Sequence, residues 1–470
     1  MDVVWIVLDS LSFSATPFAE DGPDTMPRLA TLADEQGVIF ENAYTPGPSS
    51  PSAHGSFFTG QYPSETGMHE AYPYLGNDVP TIAEVLSETH RSLLISANPY
   101  ISNGLQRGFD ELNDLLREQY MLFESGNDPR EFEFKGSGIE KIEDYLEFVF
   151  TGNTPLRSLI NGLVFKRQDP GSTSNLPERV PDDSIRFQYA ETMNNRIQSF
   201  RASDDSPAFV VANYMDIHPP LDISDEAIEQ FFPNRSHTDL PVGKTGQEVY
   251  ELIQTEENYD GTDMYDLLKA AIWDTDRRVG PLVSELISDG AFVVVTADHG
   301  IWFRRDRELD EERLHVPLLL FPPNRPSTTV EWTVNLRSLP TTTVSVLEQA
   351  SFEFDAAVTE SFGGNSLLDI DSHQLSFTDF IHNANKPGQP VNPEGAGYDD
   401  IRFDIAAVQG EARGDWIDHS FRGIRGSAED LEVLRSAIDE HRQQANLEIR
   451  QEQIEYDDSV QERLEAFGYL

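Results

Sequence analysis

The chain has 470 residues and no cysteine, and its 82 acidic against 34 basic side chains give a formal net charge of −48. These numbers exclude disulfides and thiol nucleophiles and argue against nucleic acid or an anionic membrane surface as partner. The length suits one large α/β domain with a small appendage, or two domains.

The acidic excess is spread along the chain, and lysine is confined to positions 135, 141, 166, 244, 269 and 386, so most cations are arginine. That pattern is similar to proteins of salt-loving archaea, in which salt screens self-repulsion and dilute buffer destabilises the fold. No uncharged run approaches membrane-spanning length, and no basic leader precedes the first core strand, so a cytoplasmic protein is expected.

In chain order, Val3 to Leu8 is a continuous apolar run that stops at Asp9. A run apolar on both faces reads as a central parallel strand. Met26 to Gly37 reads as a helix with proline in its first turn and a glycine stop, and Val38 to Phe40 as a short strand. Ser49 to Gly60 places hydroxyls at the start of a short helix. Pro80 to Leu86 is helical, and Ser92 to Ser96 is a strand followed by Asn98, a residue placed to touch substrate. Residues 111–185 read as an insertion, with a helix over Ile139 to Phe150 and an apolar stretch from Leu156 to Phe165. Phe209 to Met215 resumes the sheet and ends at Asp216-Ile217-His218. A long helix over Tyr265 to Ile287 feeds the run Ala291 to Ala297, which stops at Asp298-His299-Gly300. His315 precedes a strand over Val316 to Phe321. Asn385 to Asp400 is the linker candidate, Ile401 to Gly410 a strand, and Ala428 to Phe467 mostly acidic helix. The alternation of strands and helices predicts an α/β fold: a doubly wound, mostly parallel sheet flanked by helices over 1–384, with a small C-terminal α+β subdomain over 385–470.

In such sheets, ligands collect beyond the carboxyl ends of the strands. Asp9, Asp298 and His299 are therefore expected at one rim, around a divalent cation. A histidine among the ligands suits Mn²⁺ or Zn²⁺, and oxygen cages suit Ca²⁺. Ser50, at a helix N-terminus, faces free N–H groups that suit a tetrahedral oxyanion. A serine there also caps a helix, and Ser49 and Ser52 share that ambiguity.

Ser50-Pro51-Ser52-Ala53-His54, followed after four residues by Thr59-Gly60, resembles the nucleophile motif of the sulfatase family within the alkaline phosphatase superfamily. Pro27-Arg28-Leu29, Gly108-Phe109-Asp110, Thr296-Ala297-Asp298-His299-Gly300 and His315-Val316-Pro317-Leu318 are similar to that family too. So is the ending Leu464-Glu465-Ala466-Phe467-Gly468-Tyr469-Leu470, which resembles an archaeal version. The resemblance implies hydrolysis of a sulfate ester, such as that of a sulfated sugar, at a metal held by Asp9, Ser50, Asp298 and His299. It implies a Ser50 nucleophile open to oxidation to formylglycine, with His54, His218 and His315 on the substrate or leaving group. In two-metal relatives, the positions of Asp216, His218 and His315 hold a second ion. The sequence departs from the pattern at Ser52, where the family has proline, and at His54, where it has arginine. Ser10 follows Asp9 where a second acid is frequent. The lysine expected after Asp-His-Gly is missing, with only Arg304, Arg305, Arg307 and Arg313 nearby. Phosphate or phosphonate ester hydrolysis, or phosphoryl transfer, by an unmodified serine is the alternative, and a non-catalytic anion-binding relative is the third reading.

Overall fold

The computed structural model describes residues 1–69, 72–115, 148–150, 154–168, 189–244, 249, 262–301, 309–383 and 401–445. The linker at 385–400, most of the insertion, Arg304, Arg305, Arg307 and the helix expected beyond 445 lie outside these residues. Strands β1 (Val3–Leu8), β2 (Val38–Tyr44), β3 (Arg91–Ser96), β4 (Glu111–Asp114), β5 (Ala208–Tyr214), β6 (Phe292–Thr296), β7 (Leu318–Phe321) and β8 (Thr328–Asn335) make one sheet. Their order is β4-β3-β5-β1-β6-β7-β2-β8. β7 alone runs antiparallel to its neighbours. This is the expected α/β fold.

β1 sits at the centre because it has no polar face. All its side chains are buried, each contributing roughly 1.5–3 kcal/mol on leaving water. It pairs with β5 (Val3 opposite Phe209) and β6 (Val3 opposite Phe292), so these three strands end at one level. Trp5 anchors the layer above, stacked on Phe58 at 6.3 Å between ring centres and edge-on to Phe209 at 5.4 Å. Helix α1 (Pro27–Gln36) starts where Pro27 presets the backbone. Its first N–H groups, on Arg28 and Leu29, donate to the Asp276 carboxylate at 3.0 and 2.9 Å. Asp276 belongs to a long helix, Asp263–Ser288, which runs back to β6. Among the described residues no helix is long and apolar enough to cross a membrane.

The C-terminal part is the small α+β subdomain expected from the sequence. Its sheet has four antiparallel strands in the order β12-β11-β10-β9. They are β9 (Ser376–Asn383), β10 (Ile401–Gln409), β11 (Ala412–Ile417) and β12 (Ser420–Arg425), with helix Ala428–Gln444 across one side. β9, on the N-terminal side of the expected 384/385 boundary, pairs with β10: Asp379 opposite Ile405 and Ser376 opposite Val408. β9 shows no alternation in sequence because both of its faces are covered. It also carries the seam to the main domain, where Asp379 N donates to Pro46 O at 2.9 Å and Thr378 Oγ1 to Thr45 O at 2.6 Å.

Two polar anchors fix this subdomain. Arg413 is buried and pairs with Glu311 at 2.5 Å and Asp415 at 3.0 Å, while Arg425 reaches Glu311 at 3.0 Å. Burial pushes the Glu311 carboxyl up, but Arg425 and Arg413, with the Tyr44 hydroxyl, hold it down to about 2. The second anchor is His441, whose Nε2 lies 2.7 Å from the buried carboxylate of Asp379. Its ring stacks on Phe377 at 4.2 Å. Burial pushes the His441 pKa down, but the Asp379 charge outweighs it and the net shift is upward. A raised folded pKa adds stability that is fully present below the unfolded value near 6.5 and lost as pH rises through the folded value. His441→Gln is therefore expected to cost roughly 1.5–3 kcal/mol below about pH 6. The cost should shrink at alkaline pH, as read from denaturant midpoints at the two pH values in high salt. An equal cost at both ends would disprove the pairing.

Candidate metal centre

Four neighbouring parallel strands, β3, β5, β1 and β6, bring their carboxyl ends together. Asp9 follows β1, Asp298 and His299 follow β6, Asn98 follows β3, and Asn213 is the next-to-last residue of β5. Asp9, Asp298 and His299 each offer a ligand atom, all within 4.8 Å of one another, and all three are buried. Sequence separates them by nearly the whole domain, and strand register reunites them.

The backbone around the cluster is built for close approach. Ser10 takes the left-handed conformation, φ 65°, which few residues other than glycine adopt. That turn aims Ser10 N at Asp298 Oδ1, 3.1 Å away, and Ser10 Oγ at Asp9 Oδ1, also 3.1 Å. His299 N donates to the same Asp298 oxygen at 2.8 Å. Gly300 N donates to Arg313 O at 2.7 Å. A Cβ at Gly300 would lie 1.8 Å from the Glu312 carbonyl oxygen, so only glycine fits. Arg313, buried, donates from Nε to Pro48 O at 2.5 Å and so ties this loop to the serine loop.

Ser50 is the first residue of helix α2 (Ser50–Thr59). The other two serines are consumed by the helix start: Ser52 Oγ bonds Ser49 N at 3.2 Å and Ser49 O at 2.8 Å, and the two hydroxyls are 2.9 Å apart. Only Ser50 turns its oxygen to the cluster, 3.5 Å from His299 Nε2 and 3.1 Å from Asn98 Nδ2.

The donor set fits a divalent cation. His299 Nδ1 donates to Gly300 O at 2.8 Å, which leaves the lone pair on Nε2, beside Ser50 and 3.5 Å from Asp298 Oδ2. Asp298 Oδ2 is buried with no hydrogen-bond partner among the described residues. Two fully buried carboxylates with no arginine or lysine partner among the described residues are costly without a counter-ion. Asp9, Asp298, His299 and the Ser50 oxygen would supply three oxygens and one nitrogen, a mixed set.

His54 is buried behind Ser50. Its Nδ1 faces Ser50 O at 3.0 Å and Asp298 Oδ2 at 3.8 Å, and its ring lies against Phe57. Burial pushes its pKa down, against the pull of Asp298 and Asp9. His218 lies near the same acids. Burial lowers its pKa, Asp9 opposes, and Nδ1 faces Pro219 O at 2.5 Å.

His315 and Asp216 go elsewhere. His315 Nε2 meets Glu41 O at 2.7 Å, and the ring is stacked between Phe13 and Tyr44 at 4.2 and 5.0 Å. Asp216 Oδ1 accepts from Tyr189 N and Ala190 N at 2.9 and 3.0 Å, capping helix Ala190–Ala202. Burial pushes its carboxyl up to about 6. Among the described residues the second set is not brought together: backbone groups take Asp216 Oδ1 and His315 Nε2, Asp216 Oδ2 is buried without a hydrogen-bond partner, and His218 lies near the first cluster. Sequence reading missed Asn213, whose Nδ2 donates to Asp9 Oδ2 at 3.0 Å. Its one signal was an amide near the end of an otherwise apolar strand.

A family model described as Sulfatase matches residues 1–348. No curated protein matches the chain. Among solved structures, the phosphonate monoester hydrolase SpPMH from Silicibacter pomeroyi is similar, at 18% identity over 95% of this chain and 96% of that one, with a TM-score of 0.61. The phosphonate monoester hydrolase of Agrobacterium radiobacter aligns over 94% of this chain and 95% of its own, at 12% identity and a TM-score of 0.57. A protein solved with its substrate D-glucosamine-2-N,6-O-disulfate aligns over 94% of this chain and 97% of its own, at 13% identity and a TM-score of 0.56.

Proposed function

The chain belongs to the sulfatase family, and from that premise we propose that it hydrolyses a singly charged sulfate ester, such as that of a sulfated sugar, with one divalent metal ion. The observation that carries this reading is the meeting of Ser50 Oγ with the only carboxylate–histidine cluster of ligand spacing among the described residues. Asp9, Asp298, His299 and Ser50 would hold the ion; Mn²⁺, Zn²⁺ and Ca²⁺ are the candidates. When bound, such an ion neutralises charge on ester oxygens and lowers the pKa of a bound hydroxyl. The Ser50 oxygen attacks the ester centre, and the N-terminal N–H groups of α2 favour the oxyanion that collects there. His218, beside the acids, handles the substrate or its departing alcohol. His54 positions Ser50 and Asp298 from behind.

Two carboxylates balance one divalent ion. The centre then carries no surplus positive charge among the described residues, which suits a monoanion better than a doubly charged phosphate monoester. Phosphonate monoesters, also monoanions, are the second reading, and two structural neighbours bear that name. The family's formylglycine and a plain serine both present an oxygen at this position. Mass spectrometry of the peptide carrying Ser50 separates them by the loss of a hydrogen pair.

The test compares an aryl sulfate, an aryl phosphonate monoester and an aryl phosphate in high salt, before and after chelation and metal return. The expected result is metal-dependent cleavage of the first, with the second weaker and the third weakest. Preference for the phosphate would overturn the charge argument. No cleavage of any would leave the anion-binding alternative.

A further inference from the structure

Asn98 follows β3 and heads a short helix, Pro99–Gly104. Its two side-chain atoms work in opposite directions. Oδ1 accepts Tyr100 N at 3.0 Å, which caps that helix and fixes the amide plane. Nδ2 then points into the centre and donates to both Asp9 Oδ2 and Ser50 Oγ, at 3.0 and 3.1 Å. The residue is fully buried. Asn213 also donates to Asp9 Oδ2, at 3.0 Å, but Ser50 is not among its hydrogen-bond partners.

We propose that Asn98 is the positioning residue of the nucleophile: its amide ties Ser50 Oγ to the Asp9 carboxylate and holds that oxygen in its attacking state. The reason is donor direction. An amide N–H donates and never accepts. With Asn98 giving one hydrogen to each oxygen, the Ser50 hydroxyl must send its own hydrogen away from Asn98, towards His299 or Asp298. A fixed donor on an oxygen favours that oxygen when it carries charge. Asp9 is held by two amides, so either one alone still orients it. Ser50 has only Asn98 as a fixed donor among the described residues.

This inference rests on the hydrolytic reading above, and the two can fail separately. Asn98→Ser retains an oxygen to cap the helix, since Ser and Asn cap about equally well, and its shorter side chain withdraws the donor from Ser50 without adding a charge. At saturating Mn²⁺, Asn98→Ser is expected to lower kcat on an aryl sulfate by on the order of 10²-fold, with KM little changed and the acid limb of the pH profile moved to higher pH. Asn213→Ala, which loosens Asp9 alone, should weaken Mn²⁺ binding by about 10-fold. In chelated protein, labelling of Ser50 by a fluorophosphonate, read by mass spectrometry, should slow in Asn98→Ser. An Asn98→Ser enzyme within about 3-fold of wild type in kcat and labelling would overturn the proposal alone. A wild-type chain that neither hydrolyses nor labels would overturn both.

Discussion

Ser50→Ala is expected to lower turnover at saturating metal by at least about 10³-fold, the loss typical when a nucleophile is removed and only binding and oxyanion stabilisation remain. The fold should survive. The change deletes one oxygen whose partners retain other bonds: Asn98 still donates to Asp9, and His299 still donates to Gly300 O. A shift of about 1 kcal/mol in stability is expected. Ser49→Ala is the contrasting change. It removes a hydroxyl spent on the start of α2, so it should cost about 1 kcal/mol of stability and leave turnover near wild type. Turnover surviving in Ser50→Ala but not in Ser49→Ala would move the nucleophile to Ser49.

Asp298→Asn is expected to lower metal affinity by at least about 10²-fold and turnover with it, and to do something less intuitive to stability. The variant retains Oδ1 and its two backbone donors, Ser10 N and His299 N. It changes only the atom at Oδ2, which in the wild type has no hydrogen-bond partner among the described residues and sits 3.5 Å from His299 Nε2. An amide there presents hydrogens where a cation needs lone pairs. In the chelated protein, however, the variant removes one of two buried like charges. Chelated Asp298→Asn should therefore melt above chelated wild type, whereas added metal should raise the wild-type melting point and not that of the variant. The wild-type gain is linkage: metal at 100 times its Kd is worth about 2.7 kcal/mol. Calorimetry on the four samples in high salt checks the pattern. A chelated variant that melts below chelated wild type would argue that Asp298 is a structural acid.

Much of the centre was legible because its residues end apolar runs. β1 and β6 have no polar face, so the sequence marks where each stops, and the residues just past those two stops, Asp9 and Asp298-His299, form the cluster. The same logic reached Asn98 after β3, though as a substrate contact and not as a partner of Ser50. It failed where chemistry depends on which backbone group is nearby. His218 and His315 look alike in sequence, each beside a proline-containing run. Only the fold shows that the Glu41 carbonyl and two aromatic rings take His315 while His218 stays with the acids. Asp216 looked like a ligand and caps a helix instead. The serine ambiguity likewise needed coordinates, because only the capping bonds between Ser49 and Ser52 leave Ser50 for the site. β9 was invisible for a different reason: buried on both faces, it carries no period to read.

The most direct test is a titration of Mn²⁺ into chelated protein in high salt, following bound metal and aryl sulfate cleavage together. The structure leads us to expect one ion per chain, activity rising in step with occupancy, and both lost in Asp298→Asn. Cleavage that is unchanged in the chelated chain, or that needs a second ion, would contradict a single centre formed by Asp9, Asp298, His299 and Ser50.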